Sequence, residues 1–354
     1  MTALMKAAVS HALDDIRIED RPIPAIGPGE LLLKTLACGL CGGETMAWYK
    51  KPEPRVLGHE PVGEVVEIGA GVTGFRPGDR VFVNHHVGRV NSHLSRRGHF
   101  TRDPFYGQTR LDPGGVCECY RVTAQHLAMD AHVLPDSIST EAAVTIEPWS
   151  CVLSGLKVCH IQPGDTVAVV GAGFMGQGFV HMAPLFGAGK VVALDFSDWR
   201  LARAREFGAT HVINPRHQDP VEALRALNNG RLADTVIVIA PFAQAWAQAA
   251  DLVEVGGCLH LGAPLPPGTD WRRDGNRAYF DQITVTSRYS SDHTDTYSYI
   301  RLLEAGRIRA EAAISHRFDL AEAATAFRLL VEAEQSLKIV VYPHGRPTPG
   351  PEGK

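Results

Sequence analysis

Cys41, His59, Glu60 and Glu147 are the side chains of this chain with the most chemistry to offer. Thiolate, imidazole and carboxylate are all zinc ligands, and three protein ligands with one position left open make a catalytic site. Taken singly, each has a plainer reading: a buried thiol, a capping histidine, a surface acid. Cys38 and Cys41 also resemble half of a zinc knuckle, but no second C-x-x-C completes it. A second constellation is Gly171-Ala172-Gly173-Phe174-Met175-Gly176, placed after the apolar run Val167 to Val170. Gly171 permits a tight turn, Gly173 lets the backbone approach a pyrophosphate, and Gly176 lets a helix pack on its strand. The helix N-terminus turns free N–H groups and a positive dipole end toward the phosphates. A second apolar run, Val191 to Leu194, ends in Asp195, about twenty residues on, where a carboxylate accepts hydrogen bonds from a ribose. Such a carboxylate repels a 2′-phosphate, so NAD is expected rather than NADP, with Arg200 along the adenine or ribose edge. One G-x-G-x-x-G is weak evidence among 35 glycines. Strand, glycines, helix, strand and acid in that order is far stronger.

These residues need elements to hold them. The first part of the chain, to about residue 150, reads as β-rich: Ile16 to Glu19 alternates, Leu31 to Leu36 is apolar, and Val62 to Ile68 is a strand. Gly27-Pro28-Gly29, Arg76-Pro77-Gly78-Asp79 and Asp112-Pro113-Gly114-Gly115 punctuate it as turns. Ser139-Thr140-Glu141-Ala142 starts a helix expected to run toward Cys159. After Asp195, strands and helices alternate: a helix over Leu201 to Phe207, strands at His211 to Ile213 and Thr235 to Ile239, a helix from Phe242 to Val255, then strands at Cys258 to Leu261 and Ile283 to Thr286. That alternation predicts a doubly wound parallel α/β sheet. Helices over Thr296 to Ala305 and Leu320 to Glu334 and a strand at Leu337 to Val341 are expected to return to the first domain.

Composition sets the bounds. The chain has 354 residues, the size of two ordinary domains, with 45% hydrophobic and 21% charged residues. A net charge of −4 gives no basic footprint, so nucleic acid is not an expected partner. No apolar run is long enough to span a bilayer, and the N-terminus lacks the pattern of a signal peptide. Seven cysteines, an odd number spread along the chain, predict a reducing, cytoplasmic setting. The Pro- and Gly-rich tail, Pro343 to Lys354, is expected to be disordered.

Three blocks together carry a resemblance: Cys38-Gly39-Leu40-Cys41-Gly42-Gly43-Glu44; Gly58-His59-Glu60-Pro61-Val62-Gly63-Glu64-Val65-Val66-Glu67-Ile68-Gly69; and Glu147-Pro148 ahead of the glycine motif. They resemble the zinc-dependent medium-chain dehydrogenases over about residues 5 to 342, nearest to the sorbitol (polyol) and threonine dehydrogenase branch. Ser287-Arg288-Tyr289, the Gly306-Arg307-Ile308 turn and Ser315-His316-Arg317-Phe318 fit the end of that pattern. The resemblance implies a GroES-like catalytic domain, 1–152 with a C-terminal return at 290–354, and a Rossmann NAD-binding domain at 153–289, the active site in the cleft between them. It implies one catalytic zinc, with Cys41 and His59 as ligands, Glu60 as a ligand or near-ligand exchanging with water, and Glu147 as the third ligand, direct or through water. Arg288 and Tyr289 would lie near the nicotinamide and the substrate's polar groups. The implied reaction is hydride transfer between NAD(H) and a secondary alcohol or ketone on a polyol, sugar or amino-alcohol, in a homodimer or homotetramer. Two other readings compete: a zinc-independent reductase on the same fold, and a non-catalytic NAD-binding protein.

Two departures from the family pattern stand out. Where the family has Cys-Gly-Thr/Ser-Asp-x-His, this chain has Gly43 for the hydroxyl, Glu44 for the Asp and Met46 for the His. Gly43 removes the hydroxyl that passes on the alcohol proton, so Glu60, Glu147 or a bound water is expected to replace it, Glu60 first. Where relatives often carry four structural-zinc cysteines, alignment puts Arg89, Ser92, Ser95 and Asp103, so no structural zinc is expected. Nearby His85, His86, His93 and His99 read as exposed loop histidines, and Arg89, Arg96, Arg97 and Arg102 as a solvated face.

Overall fold

The computed structural model describes residues 3–46, 48, 54–271 and 274–346. The chain forms two compact units, 1–147 with 292–354, and 148–291.

In the second unit, six parallel strands lie in the order His211–Ile213, Lys190–Leu194, Thr166–Val170, Ala233–Val238, Val253–Leu261, Thr284–Ser287. Numbered along the chain this is 3-2-1-4-5-6, the doubly wound order whose reversal point lies at the first strand. Thr166–Val170 is buried at every position, which is why Val167 to Val170 is an unbroken apolar run rather than an alternation. The glycine motif joins it to the helix Phe174–Met182.

The first unit is built from a three-stranded sheet, Asp15–Pro22, Leu4–Ala12 and Arg55–Val56, and a larger sheet centred on Leu31–Gly39 and Glu60–Ile68. The C-terminal strand Lys338–Tyr342 joins that larger sheet beside Leu31–Gly39, with Val341 opposite Cys38 and Val340 opposite Gly39. The last part of the chain thereby reaches the strand ends that carry Cys41 and Glu60.

Three local expectations need correction. The helix from Ser139 is two helices, Thr140–Val144 and Ile146–Leu156. Ser139 does cap the first, its Oγ accepting from Ala142 N at 3.0 Å. Pro148 has no N–H to give to the carbonyl of Val144, so one continuous helix cannot pass that point, whereas proline is tolerated in the first turn of a new one. The helix beginning after Phe242 ends at Asp251, and the residues through Gly256-Gly257 belong to the strand Val253–Leu261. Val253 pairs with Ala233, and after a register shift Cys258 pairs with Thr235. Pairing with a neighbouring strand took residues that the local pattern assigns to the helix. Of the tail, Pro343–Arg346 is held in place: Arg346 N donates to Asp319 Oδ1 at 2.8 Å and His344 Nε2 lies 3.0 Å from the carbonyl of Glu118. Residues 347–354 lie outside the described residues. No helix among the described residues is long and apolar enough to cross a membrane.

Candidate metal centre and cofactor loop

Cys41 follows the strand Leu31–Gly39 and caps a single 3-10 turn, Gly42–Thr45, in which Gly43 N donates to its Sγ at 3.3 Å. His59 and Glu60 come from the entry to the strand Glu60–Ile68. Gly58 makes that entry possible. Its φ is +93°, and a Cβ there would lie 2.6 Å from the Val116 side chain. The ligand atoms of Cys41, His59 and Glu60 lie within 4.8 Å of one another, the one such cluster among the described residues.

Each member is backed by a second group. Glu44 Oε1 accepts from His59 Nδ1 at 2.9 Å and from Gly58 N at 2.9 Å. A carboxylate only accepts, so Nδ1 carries the proton and Nε2 faces the thiol side. Burial pushes the Glu44 carboxyl up, but His59, Arg55 and the Gly58 N–H together bring it below its ordinary value. Burial pulls the His59 imidazole down, yet the Cys41 thiolate and then Glu44 raise it well above the usual histidine range. Sulfur, imidazole and carboxylate donors this close together fit a divalent cation.

Glu60 is 1% exposed and faces Lys338, whose Nζ donates to Oε1 at 2.8 Å and Oε2 at 2.6 Å and to the carbonyl of Leu40 at 3.0 Å. Gly39 leaves room for this pair; a Cβ there would come 2.2 Å from Glu60 Oε2. These surroundings disfavour Glu60 as first choice for the proton acceptor, because both of its oxygens are already taken by the Lys338 ammonium. Glu147 is not part of the three-residue cluster. It starts the helix Ile146–Leu156, and its Oε1 lies 3.6 Å from His85 Nδ1. Burial pushes its carboxyl up to about 7, with His59 pulling down, Glu60 pushing up and Lys338 pulling down.

The histidines after Val83 divide. His93 and His99 are exposed, but His86 is buried and His85 nearly so. The His85 ring lies 4.7 Å from that of His59 and 4.2 Å from that of His86, while His86 Nδ1 bonds the carbonyl of Thr109. The expectation of exposed loop histidines is therefore wrong for these two. They end a buried strand, Arg80–Val83, and continue inward rather than into solvent. The arginines at 89, 96, 97 and 102 are exposed. Arg89, Ser92, Ser95 and Asp103 converge. Ser92 Oγ bonds Ser95 Oγ at 2.9 Å, Ser95 Oγ donates to the carbonyl of Arg89, and Asp103 Oδ1 accepts from Arg89 N at 3.3 Å and Phe105 N at 2.9 Å. Cys38 is a core residue, wholly buried, its thiol held well above the ordinary range by burial.

Three residues that the motifs left without a role now have places. Glu44 had a signal, since it keeps a carboxylate three residues after Cys41. Lys338 had a fainter one, a charge at the head of the apolar segment Lys338–Tyr342. His85 had none.

In the second unit, Gly173 caps the helix Phe174–Met182, and a Cβ built on it meets nothing nearer than Arg200 Nη1 at 4.0 Å. That is an open cradle over a helix N-terminus, which fits a pyrophosphate. At Gly176 a Cβ would lie 1.9 Å from the carbonyl oxygen of Gly171. Asp195 fastens the loop: Oδ2 accepts from Ala172 N and Oδ1 from Ser197 N, both at 2.8 Å. Arg200 Nη1 stands 3.8 Å from the same Oδ2 and 4.0 Å from where a Gly173 Cβ would lie, so it sits beside both the acid and the glycine cradle. Phe174 stacks on Trp149 at 5.3 Å, and Met175 is half-buried. Arg288 and Tyr289 follow the last parallel strand; Arg288 is half-buried and Tyr289 exposed. Burial, then Arg288, lowers the neighbouring His260 to about 4.

A doubly wound sheet with an open glycine cradle, and a β-rich unit with a thiolate–imidazole–carboxylate cluster, define a dinucleotide- and metal-dependent oxidoreductase. The comparisons agree. Residues 27–136 match the alcohol dehydrogenase GroES-like domain and residues 175–305 the zinc-binding dehydrogenase domain. The chain is 30% identical to the sorbitol dehydrogenase of Bacillus subtilis over 96% of its length and 98% of that protein, and 32% identical to that of Gallus gallus over 93% and 94%. Its fold matches a zinc-binding dehydrogenase of Sinorhizobium meliloti bound to NADP, with a TM-score of 0.87 and 27% identity over 96% of this chain and 100% of that one. The chain belongs to the zinc-dependent medium-chain dehydrogenases, on the branch that holds the sorbitol dehydrogenases. It is an alcohol or polyol dehydrogenase that uses zinc and a nicotinamide dinucleotide.

Proposed function

We propose that the protein oxidises a secondary alcohol on a small polyol, sugar or amino-alcohol with NAD, and runs the reverse reduction, at a zinc site formed by Cys41, His59 and Glu60. The carrying observation is the meeting of these three ligand atoms within 4.8 Å, with Glu44 fixing the tautomer of His59. When bound, zinc acts as a Lewis acid on the alcohol oxygen and the dinucleotide exchanges hydride with the carbinol carbon. The protein's own groups do the rest. Lys338 balances the charge of Glu60 in the buried site. Glu147, which burial pushes toward neutral pH, is the group we assign to take the alcohol proton in place of the hydroxyl missing at Gly43, with His85 beside it. A Cβ at Gly43 would meet only Cys41 Sγ among the described residues, at 3.4 Å, an ordinary contact, so the backbone there accepts a side chain at its first atom.

Asp195 supports a preference for NAD over NADP, and Arg200 is the residue that would moderate it. We assign Gly171, Gly173, Phe174, Met175 and Gly176 to the dinucleotide loop and Arg288 to the nicotinamide end. Val285 on the outermost parallel strand and Tyr279 and Phe280 just before it are exposed, Tyr279 at 78%. This supports pairing of that sheet edge with a second copy in a homodimer or homotetramer. Seven free cysteines support a reducing, cytoplasmic location.

The test is a screen of polyols, sugars and amino-alcohols with the zinc-loaded protein, following NADH absorbance. Oxidation of at least one secondary alcohol is expected. No turnover across the panel with either dinucleotide would sink the proposal. Asp195→Ala is expected to narrow the ratio of NAD to NADP affinity in titration calorimetry; a wild type that binds NADP more tightly would reverse the reading of Asp195.

A further inference from the structure

Beside the cluster the first unit holds a cavity of about 290 Å³, lined at one side by Gly43, Glu44 and His59 and elsewhere by Arg55 and Arg110. The volume is near the lower end for ligand pockets, ~300 Å³, so it suits one small polar molecule. Among the described residues Glu44 is the one acid in the lining, set against two arginines; its Oε1 already takes His59 Nδ1 and Gly58 N, and Arg55 is near enough to help draw its carboxyl down. The other acid at the centre, Glu60, is bound to Lys338. Among the described residues, no carboxylate lies within ion-pair distance of Arg55 or Arg110, so neither guanidinium is held by a direct ion pair and both can turn to a ligand in the cavity. Guanidinium groups present forked donors that fit a carboxylate or phosphate bidentately.

We propose that the alcohol taken by this cavity carries an anionic group, carboxylate or phosphate, held by Arg55 and Arg110 while its hydroxyl faces the Cys41–His59 end. This rests on the proposed dehydrogenase reading and narrows its substrate class away from neutral polyols and simple cationic amino-alcohols. Arg55 stands on the short strand Arg55–Val56, in register with Ser10 of the strand Leu4–Ala12, so its backbone is fixed by the sheet. Arg110 is exposed and precedes Leu111, a core residue, so its backbone is anchored while its head group reaches solvent.

The experiment uses the zinc-loaded full chain with NAD and three substrates: a neutral hexitol, the same hexitol carrying a terminal phosphate, and an aldonate. At least one anionic substrate is expected to exceed the neutral hexitol about tenfold or more in kcat/KM, the size of one charge-assisted contact. Its KM should rise with added salt while that of the hexitol does not. Arg55→Gln and Arg110→Gln should each cut the anionic-over-neutral ratio about tenfold. Phosphate or aldonate as the better substrate identifies which anion the cavity prefers. A neutral hexitol used as well as both anions overturns the inference and leaves the dehydrogenase reading intact. If no alcohol is oxidised, that reading fails, and calorimetry of hexitol phosphate against hexitol decides the inference alone: tighter phosphate binding lost in both variants sustains it, and equal binding ends it.

Discussion

Two regions of the first unit occupy places where zinc-binding side chains are looked for, and they are built in opposite ways. At Cys41, His59 and Glu60 each donor is turned toward a common point, and its other side is satisfied by a group outside the cluster: Gly43 N, Glu44 and Lys338. At Arg89, Ser92, Ser95 and Asp103 the four residues are linked to one another: Ser92 to Ser95, Ser95 to the Arg89 carbonyl, and Arg89 N to Asp103. The first arrangement leaves lone pairs converging and charge balanced from behind; the second brings a single carboxylate and no thiolate or imidazole, and is not such a cluster among the described residues. Hydrogen bonds within the loop do the structural work there, and burial that would push Asp103 up is outweighed by its bonds to Ser92, Phe105 and Arg89, which hold its carboxyl below the ordinary value.

The largest expected effect separates the two regions outright. Purified protein should carry about one zinc per chain, a catalytic site with three protein ligands. Cys41→Ala should remove both metal and turnover, and Ser95→Ala should leave the metal content unchanged. Two zincs per chain by elemental analysis, or zinc lost from Ser95→Ala, would erase the contrast.

Next in size is the buried pair behind the cluster. Lys338 and Glu60 are 2% and 0% exposed as side chains. Removing one partner of a buried ion pair typically costs about 3–5 kcal/mol. Lys338→Met should lose about that much in denaturant unfolding, and Glu60→Gln with Lys338→Met together should recover part of it. Additive losses in the double variant would mean that the two groups are not coupled.

A smaller effect is expected at Glu44. Groups that orient a ligand typically contribute about 10–100-fold to metal affinity, so Glu44→Gln should weaken zinc binding by that range in a chelator competition. Unchanged affinity would show that the backbone at Gly58 alone aims His59.

The smallest concerns pH. Burial first, and Glu60 after it, raise the Glu147 carboxyl to about 7 from an ordinary carboxylate value. The folded, metal-free protein therefore binds more protons than the unfolded chain between those two values, and its stability falls as pH rises through that window. Metal-free wild type should unfold at lower denaturant at pH 8 than at pH 5.5. Glu147→Gln should flatten that slope, and an identical slope in the variant would locate the titration elsewhere.

The sequence by itself determined the chemistry and the class. The glycine loop, its strands and Asp195 are local in sequence, and an unbroken apolar strand next to a G-x-G-x-x-G leaves few other arrangements. Cys41 and His59-Glu60 lie on neighbouring strand ends of one antiparallel pair, Leu31–Gly39 with Glu60–Ile68, so short-range motifs place them close together. Tertiary structure alone decided what faces them. Lys338 meets Glu60 across 278 residues because the last strand pairs with Leu31–Gly39, and no local pattern encodes that pairing. It also turned His85 and His86 inward, broke the helix at Pro148, and took Val253 to Val255 into a strand. Local propensity is worth tenths of a kcal/mol per residue, whereas pairing, burial and charge neutralisation are worth several times more, so the long-range terms settle every position where the two disagree.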